Sequence, residues 1–417
     1  MNVWNELRAD LDSLEAAQLL RRPVVVESGC GPRVRVGRRE LVCLCSNDYL
    51  GLAGEEALKH AAIEAIRQWG VGAGASRLIS GTTTLHAALE QALARFKRVV
   101  AVAVTSAGWL ANAVAVRVLV GPGDLVLADK LSHASLLDAA AASGAALRTW
   151  PHADLDRLEK LLDRLRGRHR RCLIATDSLF SMDGDLAPLP ELARLKGRYD
   201  ALLMIDEAHA TGVLGAGGRG AAELLNCEQA VDVTVGTLSK ALGALGGFVA
   251  GPEELIQTIR NRGREFIYTT ALPPAICAAA LAALEIVQAQ PRRRQAVLAL
   301  ARRLREELID SGISPGASVS QIVPIMVGPA GAAAELSGRL MEAGFLAPAI
   351  RPPTVPRGAS RLRVSLCATH QEQDILRLVQ VLRAQRDLLP DAAAAGAAVK
   401  AAVPPAGEPS GTHHEPI

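Results

Sequence analysis

Lys240 sits in GTLSKALGALGG, residues 236 to 247, among glycines, alanines and leucines, with no acid nearby in sequence to pair with it. An ammonium group enclosed by apolar residues is costly, and desolvation drives its pKa down. A neutral lysine amine attacks carbonyls. Two readings follow. One is a lysine snorkelling to the surface from a small-residue turn. The other is a Schiff-base lysine on a loop whose glycines let it pass close to a ligand. This stretch alone divides them evenly.

Further residues able to do chemistry stand just after short apolar runs. Asp206 follows LLMI, where a carboxylate needs a cationic partner to stay charged. His209 follows it by three, and Thr237 and Ser239 precede Lys240. Gly108 and Trp109 open an expected helix, whose free N–H groups and dipole favour an anion. Ser181 follows another run, and His133 opens the helix after the run that ends at Asp129. Pyridoxal phosphate uses all of these groups: a lysine for its aldehyde, a carboxylate for its pyridinium nitrogen, a helix N-terminus and hydroxyls for its phosphate, and a flat group for its ring face. Each residue also has a plainer reading. Asp206 and Glu207 could pair on the surface, and His133 and His209 could be satisfied core histidines. Their joint placement at successive strand ends is what favours a site. DEAH (206–209) is also a helicase-like string, but no GxxxxGK[ST] loop occurs anywhere in the chain. GVGAGASRLISG (70–81) has no strand before it and misses the dinucleotide spacing at its third glycine, so it is read as a flexible loop near the site.

The elements that must position these residues alternate. VVAVAVTS (99–106), DLVLAD (124–129), RCLIATD (171–177), ALLMIDEAHA (201–210), VDVTVGT (231–237) and LGGFVAG (245–251) read as buried strands, with helical stretches between several of them. Runs apolar on both faces that alternate with helices predict a mostly parallel α/β sheet with helices outside. Ligands of such sheets bind beyond the carboxyl ends of the strands, where the residues above stand. From about Pro291 the texture changes to charged helices and fewer strands, predicting a smaller α+β domain. The expected division is an N-terminal helix and strand segment (1–48), a large α/β domain (49–290), a small C-terminal domain (291–389) and an Ala/Pro/Gly-rich disordered tail (390–417).

Composition narrows the class. The 417 residues are 49% apolar with a net charge of +3 and 3% aromatic residues, which fits a globular protein and gives neither a nucleic-acid groove nor a stacking platform. The basic run RGRHRR (166–171) reads as a solvated face. The first 22 residues read as an amphipathic surface helix rather than a signal peptide, and no run is long and apolar enough to span a bilayer. The seven cysteines are scattered without a CxxC pair, as expected of reduced cytoplasmic thiols, and no metal site is expected.

Longer stretches carry a family likeness: SNDYLGL (46–52), SGTTTLHAALE (80–90), DKLSHASLLDA (129–139), FSMDGDLAPL (180–189), DEAHATGVLGAGGRG (206–220) and GTLSKALGALGGFVAG (236–251). On these the chain resembles the α-oxoamine synthases from about Arg21 to about Leu382. The resemblance implies PLP-dependent transferase fold type I, the aspartate-aminotransferase-like fold, in a homodimer with shared active sites. It also implies a reaction that joins an amino acid to an acyl thioester and releases carbon dioxide. AIRPPTVPRGASRLRVSL (349–366) is most similar to the branch that takes L-alanine and a pimeloyl thioester, on CoA or acyl carrier protein. The alternative is a branch such as the ligase of glycine and acetyl-CoA. A catalytically silent subunit would be expected to lack the lysine or the aspartate, and a plain aminotransferase would lack the long motifs.

By position, the resemblance implies that Lys240 holds the cofactor and moves the Cα proton, Asp206 pairs with the pyridinium, His209 hydrogen-bonds the ring oxygen and His133 stacks on the ring. Gly108, Trp109, Ser181 and Thr237 would surround the cofactor and its phosphate. Arg363 would clamp the amino-acid carboxylate bidentately with help from Asn47, and Arg21 and Thr354 match substrate-contacting positions. Asp177 departs from the pattern, standing where family members often carry Glu, and Trp109 is bulkier than some members have there.

Overall fold

The computed structural model describes residues 2–390. Residues 391–417, nearly all of the stretch read as a disordered tail, lie outside the described residues.

In chain order the strands are β1 (Arg33–Val36), β2 (Arg39–Cys43), β3 (Ala101–Thr105), β4 (Leu125–Asp129), β5 (Ala146–Trp150), β6 (Cys172–Asp177), β7 (Leu202–Asp206), β8 (Val233–Thr237), β9 (Gly247–Gly251), β10 (Ile322–Gly328), β11 (Phe345–Leu346), β12 (Ala349–Ile350) and β13 (Ser360–Ser365). Seven of them form the central sheet in the order β3-β9-β8-β7-β6-β4-β5. Strands β4 to β8 run parallel, and β9 alone is antiparallel to both its neighbours.

Side chains alternate between two cores. Val104, Leu127, Ile174, Ile205 and Phe248 face one, which also takes in Leu58, Leu93 and Leu162 from helices. Ala103, Val126, Ala175, Met204 and Val249 face the other, with Ala111, Val114 and Leu136. Burial on both faces explains why these strands read as unbroken apolar runs. The edge strand β5, ALRTW, has partly exposed positions and no such run, which is why it carried no strand signal.

After the helices Pro274–Ala289 and Arg292–Asp310, the chain builds a second sheet of order β10-β13-β12. The short strand β11 pairs in parallel with β2, so β1 and β2 complete a third sheet with the C-terminal part of the chain. Among the described residues no single helix is long and apolar enough to cross a membrane. The N-terminal helix Val3–Ala16 forms as expected, yet none of its residues is buried, Trp4 and Leu11 included.

One local expectation changes. Within 70–81, residues Arg77–Gly81 form a π turn rather than a plain loop. Arg77 is buried there, 2.9 Å from Glu90, and donates to the Val104 carbonyl at 3.1 Å. A buried arginine with a carboxylate and a carbonyl as partners anchors the turn to β3.

Candidate active site

The sheet brings its chemistry to one edge. Asp177, Asp206 and Thr237 are the last residues of adjacent strands β6, β7 and β8, with Asp177 directly beside Asp206 in register. Thr105 ends β3 at the same edge and leads into the helix Gly108–Leu119, and β4 leads through Ser132 to His133 and the helix Ala134–Ala142. Lys240 lies three residues past β8 in a tight turn, where Gly243 donates its N–H to the Lys240 carbonyl at 2.9 Å. Gly243 has φ +61°, and a Cβ there would run into the backbone of Leu52 and Ala53. Glycine is therefore required for the close approach that sets Lys240 in place. A cavity of about 190 Å³ opens at this edge, its wall including Lys240, Asp206, His209, His133, Asp177 and Trp109.

Lys240 lines the cavity and so keeps some exposure as a residue, but its amine is enclosed. Burial lowers the pKa to about 8 against the opposing pull of Asp206 and Asp177. Its Nζ is 2.7 Å from His209 Nε2, and His209 Nδ1 is 2.6 Å from the Tyr49 hydroxyl. Burial, with the charges of Lys240 and Arg363, pushes His209 well below its usual range, so this imidazole is neutral at pH 7. Tyr49 has no exposed surface; its hydroxyl also accepts from Arg363 at 3.1 Å and donates to Asn47 Oδ1 at 3.0 Å. Arg363 donates further to Asn47 Oδ1 at 3.1 Å, to Ser365 Oγ at 2.7 Å and to the Ser181 carbonyl. Asn47 and Arg363 are thus linked to His209 and Lys240 through Tyr49. Sequence reasoning passed over Tyr49 inside SNDYLGL, although a tyrosine in an apolar run brings a hydroxyl that needs a partner.

Around Asp206 a second network forms. Asp206 Oδ1 accepts the Ala208 N–H at 2.8 Å, and Oδ2 accepts from the Asn112 amide at 2.7 Å. Asn112 also donates to Ser135 Oγ at 2.9 Å, and Ser135 Oγ is 2.7 Å from His133 Nδ1. His133 is open on the cavity side, but its inner edge is turned toward Ser135. Desolvation there lowers its pKa, against Asp206 and with Lys240. Its backbone N–H donates to Asp177 Oδ1 at 3.0 Å. Asp177 is fully buried, and that burial, followed by the charge of Asp206, raises its pKa well above the usual carboxylate range. Neither Asn112 nor Ser135 was singled out from sequence, since each looks like an ordinary small polar residue in an apolar helix.

The other expected residues fall in two groups. Gly108 opens its helix without any side-chain cap, and a Cβ there would lie 3.4 Å from Thr237 Oγ1, so helix start and β8 end meet closely. The Thr237 hydroxyl donates to the Gly246 carbonyl at 2.8 Å. Trp109, 47% exposed, stands edge-on to His133 at 5.9 Å. Ser181 meets the site through its carbonyl, at Arg363. Arg21 and Thr354 are brought together, 3.4 Å apart, but outside the wall of the Lys240 cavity; Arg21 also donates to the Pro352 carbonyl at 3.1 Å. A larger cavity of about 460 Å³ surrounds Lys97 and Arg219 at the other end of β8. Arg219 there is paired with Glu223 and Glu228 and Lys97 with Glu207, which leaves no enclosed free amine, so the smaller cavity carries the chemistry. No cluster of metal-ligating side chains occurs among the described residues.

The donor set suits a group bearing an aldehyde, a basic ring nitrogen and a phosphate. It offers an enclosed amine of lowered pKa, a carboxylate at a strand end, and an uncapped helix start in van der Waals reach of Thr237.

The family model for class I and II aminotransferases matches residues 39–382. The chain is 47% identical over 382 residues to the 8-amino-7-oxononanoate synthase of Geobacter sulfurreducens, covering 91% of this chain and 97% of the relative. In structure it is similar to a serine palmitoyltransferase (SPT) solved with PLP, with TM-score 0.87 at 30% identity, covering 92% of this chain and 98% of that one. It is also similar to the 8-amino-7-oxononanoate synthase of Francisella tularensis, with TM-score 0.73 at 28% identity, covering 83% and 98%.

Proposed function

The chain belongs to the α-oxoamine synthases of the class I and II aminotransferase family, and from that membership we propose that it condenses L-alanine with a pimeloyl thioester. The products are 8-amino-7-oxononanoate, carbon dioxide and the free thiol, in biotin synthesis. The observation that carries this reading is the near full-length identity to the Geobacter sulfurreducens synthase, in a chain that keeps Lys240 and Asp206 in one cavity.

Pyridoxal phosphate, when bound, supplies an aldehyde that takes up an amino group and a ring that draws electron density from Cα. Lys240 and Asp206 would hold its two reactive ends, His133 and His209 its ring, and Gly108, Trp109, Ser181 and Thr237 its remaining contacts. The rest of the chemistry belongs to the chain's own side chains. With a pKa of about 8, the Lys240 amine is a competent base near neutral pH, suited to moving the proton at the alanine Cα. Arg363, braced by Asn47, Ser365 and Tyr49, presents a fixed guanidinium for the amino-acid carboxylate. Holding both substrates against one amine supplies much of the acceleration.

The 49–290 segment would then be the cofactor-binding domain and 291–389 the smaller domain. A homodimer with shared sites, in the cytoplasm, completes this reading: the exposed apolar residues Ile79 and Tyr268, which no described segment covers, support a partner surface, and a second copy would bring a use for Arg21 and Thr354. The test is thiol release by the cofactor-loaded protein with L-alanine and pimeloyl-CoA, beside glycine and acetyl-CoA. Release in the first mixture alone supports the reading. Release in the second alone would move the protein to the aminoketobutyrate ligase branch.

A further inference from the structure

Asn112 is 2% exposed and points its amide nitrogen at two acceptors, Asp206 Oδ2 at 2.7 Å and Ser135 Oγ at 2.9 Å. The amide cannot be turned round, because its oxygen would then face a carboxylate oxygen at that distance. Both amide hydrogens are committed as donors, while Oδ1 is buried without a partner among the described residues. Ser135 Oγ lies 2.7 Å from His133 Nδ1, and because that nitrogen already accepts the Ser135 backbone N–H, the hydroxyl turns its own hydrogen to it. The Ser135 backbone N–H reaches the same nitrogen at 3.3 Å, capping the helix Ala134–Ala142. Two hydrogens aimed at Nδ1 leave no room for one on it, so the ring proton resides on Nε2.

We infer that Asn112 and Ser135 are positioning residues that orient the Asp206 carboxylate and lock His133 as the neutral Nε2–H tautomer. The inference rests on the proposed function only for what Asp206 and His133 act upon; the hydrogen-bond chain itself needs no cofactor. It gives the site two useful properties. A neutral His133 adds no positive charge beside a ring whose nitrogen is kept protonated, and its one N–H is on the edge away from Ser135. Protonating Nδ1 would set a hydrogen against the Ser135 N–H and force the hydroxyl to turn its own hydrogen away from the ring. The charges facing His133 are Asp206, Lys240 and Asp138, and Asp177, whose carboxyl pKa is raised by burial, receives its backbone N–H.

The test is nitrogen NMR of the histidine rings in full-length protein labelled with ¹⁵N-histidine, without cofactor and loaded with pyridoxal phosphate. The His133 signals are identified by their loss in His133→Gln. The expected wild-type result is an unprotonated Nδ1 and a protonated Nε2, unchanged from about pH 6 to 9. In Ser135→Ala the two tautomers should mix and the ring should titrate, and Ser135→Thr, which keeps the hydroxyl, should restore the single tautomer. A packing role alone predicts the reverse order, since Thr is the larger change. Asn112→Ala should weaken cofactor binding roughly tenfold or more, followed by absorbance in the absence of substrates. A wild-type His133 carrying its proton on Nδ1 overturns the inference whatever the variants do. So does a Ser135→Ala ring indistinguishable from wild type, or unchanged cofactor affinity in Asn112→Ala. None of these readouts depends on which thioester the enzyme uses.

Discussion

His152 offers the sharpest test of how the active-site edge is held together. Its Nε2 is 2.7 Å from Asp185 Oδ2, its Nδ1 is 3.2 Å from both oxygens of Asp129, and its ring stands edge-on to Phe180 at 4.2 Å. Asp129 ends β4 just before His133, and Asp185 closes the loop that carries Ser181, the carbonyl partner of Arg363. Burial opposes charging the ring, but hydrogen bonds to Asp129 and Asp185 outweigh it and raise the pKa from 6.5 to about 10. The folded-state pKa is raised, so the stabilisation is complete below about pH 6.5 and is lost as pH climbs toward 10. At about 1.4 kcal/mol per unit, a shift of this size amounts to roughly 5 kcal/mol, in line with the ~3–5 kcal/mol lost on breaking a buried ion pair. His152→Gln keeps hydrogen-bonding capacity and removes the charge. Urea unfolding of wild type and His152→Gln at pH 6, 8 and 10 should show a gap of roughly 3–5 kcal/mol at pH 6 that shrinks steadily and nearly closes by pH 10. Comparing the two proteins cancels the titrating groups that do not touch His152, and its partners Asp129 and Asp185 titrate on the acid side. A gap that stays constant with pH, or is absent at pH 6, would refute the charged clamp.

Three further outcomes test the site's electrostatics. Lys240→Ala should lose turnover by at least about 10⁴-fold. In the cofactor-free wild type, capture of an aldehyde by Lys240 should rise through pH about 8 rather than near the ordinary lysine value, followed by absorbance against pH. Asp177→Asn should raise stability at neutral pH by roughly 1–3 kcal/mol. The raised carboxyl pKa withholds ionisation that the unfolded chain gains above about pH 3.8, so the advantage of Asn should vanish in acid; a variant no more stable than wild type at pH 7 would show that Asp177 is ionised after all.

What could be read from the chain and what could not divide along a physical line. The strands that carry Asp177 and Asp206 are buried on both faces and appear as apolar runs, and the β-branched VTVGT that ends at Thr237 is marked by its valines, so the last residue of each can be located without knowing its neighbours. Lys240 was legible for a similar reason: a charge among small apolar residues is a local anomaly. Tyr49, Asn112, Ser135 and His152 carry no such mark. Their meaning lies in partners 160 residues away for Tyr49 and His209, 94 for Asn112 and Asp206, and 33 for His152 and Asp185. Those pairings exist only once strand order and register are set, because β4 and β7 must both lie beside β6 before one helix can reach Ser135, which follows β4, and Asp206, which ends β7. Arg21 and Thr354 show the converse. Sequence resemblance named both, and the fold of one chain joins them to each other rather than to Lys240. A substrate role for that pair requires the cavity wall to be extended by something other than this chain's own described residues, and a second copy supplying residues at the mouth is the arrangement that would do so. Mixing a Lys240→Ala protein with an Arg21→Ala protein would then restore activity in the mixed dimers, and failure to restore any would rule out Arg21 acting at the Lys240 of a second copy.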